Sequence, residues 1–288
     1  MKMRALRTMN WRKLAALIAA TTAACGENLT RLPSDEDYAP GVTAPLDCAP
    51  NLDGRIDARE LPTVLAQAAG YLVSPGGATR AVDLTGAVGA DGSRVWDWSN
   101  DDASDGLVRL AAVPVTERWY AASFPNGQFA APLDAAMTLD GVYARDVDGL
   151  VLLGLASREK DPPEGRTLWV YDPGIELFRF PLRPGDAWTS TSTVTNGLTR
   201  GLPYAGFDTY AIELDAVGEL ALPHLAFSQV HRMRTQVTVA PAIGAPRTVR
   251  QTAFLFECFG EVARATSRDG ETSEDFTTAA EIRRLGLR

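Results

Sequence analysis

The feature that most constrains this chain is a repeated punctuation: Asp91-Gly92, Asp105-Gly106, Asn126-Gly127, Asp140-Gly141, Asp148-Gly149, Asn196-Gly197 and Asp269-Gly270. Asn-Gly and Asp-Gly tolerate the positive φ that tight hairpin turns demand, so such pairs between apolar runs mark antiparallel strands. The runs between them are short and rich in β-branched and aromatic residues: 94–98, 107–115, 118–124, 149–156, 166–171, 175–180, 209–215, 230–239, 248–257 and 261–266. Several alternate in polarity. Tyr210, Ile212 and Leu214 fall on one side and Ala211, Glu213 and Asp215 on the other; Met233, Thr235, Val237 and Val239 alternate with Arg232, Arg234, Gln236 and Thr238. That pattern predicts a sheet with one packed face and one wet or partner-facing face. Glu213 or Asp215 is expected across from Arg232 or Arg234. The expected fold is mainly β, an antiparallel sandwich or barrel-like body over residues 71–288, with any subdivision at the charged, proline-bearing stretch 159–166.

The first residues decide the compartment. Lys2, Arg4, Arg7, Arg12 and Lys13 precede eleven uncharged residues, Leu14 to Ala24, with no acid among them. A basic head followed by an apolar stretch too short to span a bilayer, which needs about 20 residues, reads as a signal peptide over 1–24. The stretch ends Thr22-Ala23-Ala24-Cys25, which resembles the lipobox of bacterial lipoproteins. The resemblance implies that Cys25 is lipidated and becomes the new amino terminus. Thr22 stands where that family has Leu, and cleavage near Ala24 by ordinary signal peptidase is the alternative. Two acyl attachments anchor stably where one chain binds only marginally. The resemblance therefore implies a membrane partner, held through the lipid. Gly26, in place of the Asp that retains enteric lipoproteins at the inner membrane, implies the outer membrane of a Gram-negative bacterium. Residues 25–46, polar and containing three prolines, read as a lipidated tether.

Three cysteines with one assigned to lipid leave an even pair, Cys48 and Cys258. In an oxidising compartment the default fate of such a pair is a disulfide, with two buried thiols as the alternative. Removing 1–24 leaves 23 basic side chains against 36 acidic ones, a net charge of −13. A surface that negative repels nucleic acid and is compatible with divalent cations.

Residues 49–60 read Ala-Pro-Asn-Leu-Asp-Gly-Arg-Ile-Asp-Ala-Arg-Glu. They resemble the twelve-residue calcium loop of the EF-hand and dockerin families. The resemblance implies one Ca2+ held by Asn51, Asp53, the Arg55 carbonyl, Asp57 directly or through water, and a bidentate Glu60, with Gly54 at the sharp turn. Position 1, normally Asp, is Ala49, so a carboxylate is missing. The alternative is structural: a tight Asp53-Gly54 turn, Asp57 capping a helix and Glu60 closing a capping box. Either way the 47–70 segment is expected to form this loop and one short helix over about 58–69, with Pro62 just past its first turn.

Motifs for enzymatic chemistry are scarce. Neither of the two histidines, His224 and His231, has a metal ligand at useful spacing, and Gly-x-Ser-x-Gly is missing. The acidic stretch Asp97–Asp105 reads as a solvated loop. Trp96, Trp98, Trp119, Trp169 and Trp188 read as packing residues, or alternatively as a sugar-stacking platform. From about residue 177 the chain resembles uncharacterised secreted and surface lipoproteins. The expectation is a non-enzymatic cell-envelope lipoprotein with a binding or structural role, steadied by calcium, for a protein or polysaccharide partner. A secreted hydrolase or carbohydrate-binding β-sandwich is the alternative.

Overall fold

The computed structural model describes residues 48–286 apart from 62, 64, 66, 90 and 91. The leader, Cys25 and the tether lie outside the described residues. In chain order the strands are β1 (Ala69–Val73), β2 (Arg80–Ala81), β3 (Ala87–Val88), β4 (Arg94–Asp97), β5 (Gly106–Leu110) and β6 (Val113–Pro114). Then follow β7 (Phe129–Pro132), β8 (Leu139–Arg145), β9 (Gly149–Ser157), β10 (Leu168–Arg179), β11 (Ala187–Thr199) and β12 (Leu202–Ala221). The chain ends with β13 (Ala226–Pro241), β14 (Arg247–Phe256), β15 (Gly260–Thr266), β16 (Thr278–Ala279) and β17 (Glu281–Leu285).

The mainly β, antiparallel character holds, and its form is one large sheet that does not close into a barrel, with β2 and β16 paired in a separate two-stranded sheet. Its order is β5-β1-β17-β15-β14-β13-β12-β11-β10-β9-β8-β7-β6. From β7 through β15 each strand pairs antiparallel with the next in sequence, a continuous meander. Among the described strands β4 pairs parallel, lying along the end of β12. Gly218 permits that approach, because a Cβ there would meet the Arg94 carbonyl oxygen at 2.1 Å.

The sheet is strongly curled. Eight interstrand steps separate β15 from β7, roughly 40 Å if the sheet were flat. Yet the Ala135 N–H, just past β7, donates to Glu281 of β17 at 3.4 Å. Register shifts in β8, β10, β11 and β12 mark where strands bend. The two edges, β5 and β6, are consecutive in sequence. The chain crosses the gap between them at Ala111-Ala112, and Leu65 bridges to Ala112 alongside. The sheet thus wraps almost completely and leaves a seam.

Alternation assigns the two faces as expected. Along β12, Ile212 and Leu214 are buried while Ala211 and Glu213 are exposed. Glu213 pairs with Arg234 in register, and Arg232 grips Asp215 with two hydrogen bonds of 2.8 and 2.5 Å. On the outer face Trp96, Trp98, Phe254, Phe256, Leu220 and Val230 form a separate core. The stretch 159–166 is a loop within the hairpin of β9 and β10, strands paired in the same sheet.

Other expectations are corrected. Among the described residues of 58–69 no α-helix is found. A single 3-10 turn, Ala58–Glu60, is followed by Leu61 at φ −120°, ψ 63°, because the proline that follows pushes its predecessor out of helical geometry. Residues 118–124, expected as a strand, carry the short 3-10 turn Ala121–Ser123 instead. Residues 166–171 and 175–180 merge into the single strand β10 through a cis Asp172–Pro173 bond. Asp140-Gly141 lies inside β8 and Asn196-Gly197 inside β11. The β11–β12 turn is made by Arg200 and Gly201, at φ of 50° and 79°.

Candidate functional site

The inward face of the curled sheet lines an open-mouthed cavity of about 730 Å³. That volume falls within the range of about 300–1,000 Å³ typical of small-molecule sites. Its wall is assembled from β7 to β10 and from β12 to β15, among them Phe129, Leu139, Leu152, Leu177, Val237 and Val249. The strand period of two places these side chains on one face, and curvature turns that face inward. The alternation of Tyr210 and Ile212 with their neighbours, and of Met233, Thr235, Val237 and Val239 with theirs, is the sequence trace of this wall. Alternation could not distinguish a filled core from a lined cavity, because that difference depends on strand order and curvature.

Polar groups are few. The Tyr171 hydroxyl donates to Asp208 at 2.7 Å. Asp208 is fully buried, and burial pushes its carboxyl up, with the Tyr171 hydrogen bond opposing. Burial also raises the Tyr143 phenol to about 12, so it stays protonated at neutral pH. At another wall Glu261 accepts from Arg264 Nε at 2.8 Å and faces Arg283 Nε at 2.8 Å. Burial disfavours the Glu261 carboxylate, but the two guanidiniums outweigh it and hold its pKa below the usual carboxylate range.

Arg145, at the end of β8, stands at the mouth. It lines both the cavity and an open surface groove formed with Ala58, Arg59, Thr63, Leu65 and Val147. Its guanidinium donates to the Ala58 carbonyl and lies over the Phe180 ring, 5.5 Å from its centroid. Its Nε is buried with no hydrogen-bond partner among the described residues. Sequence reasoning missed this residue. The available signal was weak: Arg145 shares the face of Tyr143, next to the Asp146–Gly149 turn.

The segment expected to hold calcium forms one lip of the mouth. Asn51 and Leu52 N–H groups donate to the buried Glu257 carboxylate at 2.5 and 2.9 Å. The Asn51 side-chain amide donates to Glu60 at 2.6 Å, and Asp57 N–H donates to the same carboxylate at 2.8 Å. Asp53 and Asp57 both face the Arg55 guanidinium, at 3.2 and 3.5 Å. Burial raises the Glu60 pKa, with the Asp57 hydrogen bond opposing. Asn51 and Glu60 thus converge, while Asp53 and Asp57 turn to Arg55. Among the described residues no three His, Cys, Asp or Glu side chains gather as a metal set. The Cys48–Cys258 disulfide is present, with Cα atoms 5.6 Å apart, and Cys258 N–H donates to the Glu60 carbonyl at 2.5 Å. Ile56 and Leu182 exchange two backbone hydrogen bonds of 2.9 Å, pinning the lip to the residues after β10.

The tryptophans are packing residues. Trp96, Trp98, Trp119 and Trp188 donate their indole N–H to backbone carbonyls, and Trp169 donates to Thr199. They are spread over several clusters and form no single platform. In the acidic stretch, Asp105 is buried between Arg80 and Arg284.

Fold and site together define a single curled β-sheet wrapped around an apolar cavity with one cationic mouth. No family model matches the chain, and no match was found among curated proteins or solved structures.

Proposed function

We propose that this is an exported, lipid-anchored envelope protein that holds an apolar, chain-like ligand in the cavity of its sheet, without acting on it chemically. The observation that carries the reading is the 730 Å³ space with an aliphatic and aromatic wall. Interiors normally pack at crystal-like density with few voids larger than a water molecule. Asp208 and Glu261 are engaged by Tyr171 and by two arginines, which supports positioning over hydrolysis.

Burying a methylene is worth about 0.8 kcal/mol, so affinity for a homologous series rises about fourfold per methylene until the cavity is full. The test uses the mature chain carrying Cys25→Ser, so that no detergent is needed, and displacement of an environment-sensitive fluorescent probe by n-alkyl ligands of increasing length. The expected result is that steep dependence with a plateau, lost in Val237→Trp, which fills the wall. Absence of any chain-length dependence, or an unaffected Val237→Trp protein, overturns the reading.

The calcium resemblance belongs to the same reading as a stabiliser of the lip. Its support is the twelve-residue pattern; the Asn51 amide now donates to Glu60, a hydrogen bond that calcium would have to replace. Binding requires Arg55 to release Asp53 and Asp57.

A further inference from the structure

Resting on the cavity reading, we infer that the ligand is a single-chain amphiphile with a carboxylate head, and that Arg145 holds the head at the mouth while the chain enters the sheet. Charge complementarity selects the head. The charged residues lining the cavity are Arg145, Glu261 and Arg264. Glu261 is answered by Arg264 and Arg283, so that part of the wall is internally matched. Arg145 has no carboxylate partner among the described residues. Its ring contact is with Phe180, and its donated hydrogen bond goes to a neutral carbonyl. The other charged groups of the mouth do not answer it. Asp146 turns its carboxylate to the N–H groups of Asp148 and Gly149, at 2.9 Å each. Glu60 is taken by Asn51 and Asp57, and Arg59 adds a second, exposed cation to the groove.

A half-buried guanidinium with an unpartnered, buried Nε at an apolar opening is costly unless an anion supplies the missing acceptor. A carboxylate accepts from a guanidinium in a charge-assisted hydrogen bond, and an alcohol of the same chain does so far more weakly. The position does the rest. Arg145 bridges cavity and groove, so a head held there stays at the water boundary while its chain extends past Phe129, Leu150 and Phe178.

The experiment compares dodecanoate, dodecanol and a dodecyl phosphate by probe displacement, at a pH where the bound acid is ionised, on the Cys25→Ser chain and on Arg145→Gln and Arg145→Lys. The expected result is at least about tenfold preference for dodecanoate over dodecanol, the ratio that one charge-assisted hydrogen bond supplies. Arg145→Gln brings the ratio to about one, through a loss of dodecanoate affinity much larger than any change for dodecanol, and Arg145→Lys keeps part of it. Equal binding of acid and alcohol by the unsubstituted chain overturns the head-group inference and leaves the cavity reading standing. Binding of neither overturns both. Preference for the phosphate over the carboxylate overturns the choice of head. If Arg145→Gln does not fold, salt decides: the preference must shrink as ionic strength rises, and a salt-independent ratio refutes a charge contact at this half-exposed site.

Discussion

The Cys48–Cys258 bond closes a loop with a sequence separation of 210 residues, and it ties the lip of the cavity to the sheet. Replacing both cysteines by serine removes the covalent link and leaves four other attachments: Glu257 to the Asn51 and Leu52 N–H groups, the Glu60 carbonyl to Cys258 N–H, the Ile56–Leu182 pair, and Arg145 to the Ala58 carbonyl. Because these persist, the native geometry of the lip survives, and the main effect falls on the unfolded chain. In the chain-entropy model a loop of this length contributes about 5 kcal/mol. For a body of this size each kilocalorie moves the melting temperature by about 2–4 °C, which sets the expected drop at about 10 °C or more. The measurement is a thermal melt followed by near-ultraviolet circular dichroism, with hydrogen exchange of the lip as the second readout. The double variant melts about 10 °C lower, keeps its near-ultraviolet spectrum at 20 °C, and shows faster exchange at Asn51 and Leu52 but not in β12 or β13. A drop under about 2 °C refutes the loop-entropy argument. Loss of the near-ultraviolet spectrum at 20 °C refutes the claim that the remaining contacts hold the lip.

Three further outcomes follow from particular residues. Millimolar calcium raises the melting temperature relative to chelator, by mass action on the folded state, and Glu60→Gln abolishes the rise; an identical rise in that variant removes the loop as its cause. Asp140 is fully buried, accepts from Tyr120 at 2.8 Å and faces Arg118 at 3.2 Å. Asp140→Asn therefore strands a mostly buried cation and costs about 3 kcal/mol in urea unfolding. His231 is buried with both ring nitrogens unpartnered, and burial lowers its pKa, with Glu257 and Asp53 opposing. Below about pH 6.5 the unfolded chain takes up a proton there that the folded chain does not, so stability falls as pH falls through that range. Glu60 and Asp208, with raised pKa values, work in the opposite direction, so the diagnostic is the difference between the parent and His231→Phe, whose melt loses this component between pH 7.5 and 5.5.

Local chemistry was legible where it acts alone, and misread where tertiary contacts override it. Asp148-Gly149 and Asp269-Gly270 sit at or beside turns because nothing competes for them. Asp140-Gly141 reads as a turn but becomes strand, since Tyr120 and Arg118 draw the Asp140 carboxylate inward. A Cβ at Gly141 would meet the Tyr143 hydroxyl at 2.5 Å, so the glycine answers crowding and not a turn. Alternation along β12 and β13 gave the correct faces, because a pleated strand leaves no other choice. The Cys48–Cys258 pairing followed from counting, and the Arg232–Asp215 pair from charge. The seam, the cavity and Arg145 needed the strand order, which no local pattern contains. Of the helix expected over 58–69 the described residues keep only the 3-10 turn Ala58–Glu60, because a proline at 62 disfavours helical geometry at Leu61.

An apolar cavity kept open in a folded body invites a test that separates use from accident. Small residues line it where larger ones would close it: Ala112, Ala131 and Gly260. Ala131 lies on β7 opposite Gly141 and is half-buried, so a longer side chain there projects into the empty space without breaking the ladder. Filling unoccupied apolar volume commonly stabilises a protein by about 0.5–2 kcal/mol. Ala131→Leu therefore raises the melting temperature of the unliganded chain by about 1–8 °C. The same side chain excludes ligand, and each methylene excluded weakens binding about fourfold. Stability and affinity must then move in opposite directions. If the cavity is only loose packing, the variant gains stability and no affinity for alkyl chains changes. If Ala131→Leu loses stability, the space is already satisfied by protein contacts, and the binding reading fails at its foundation.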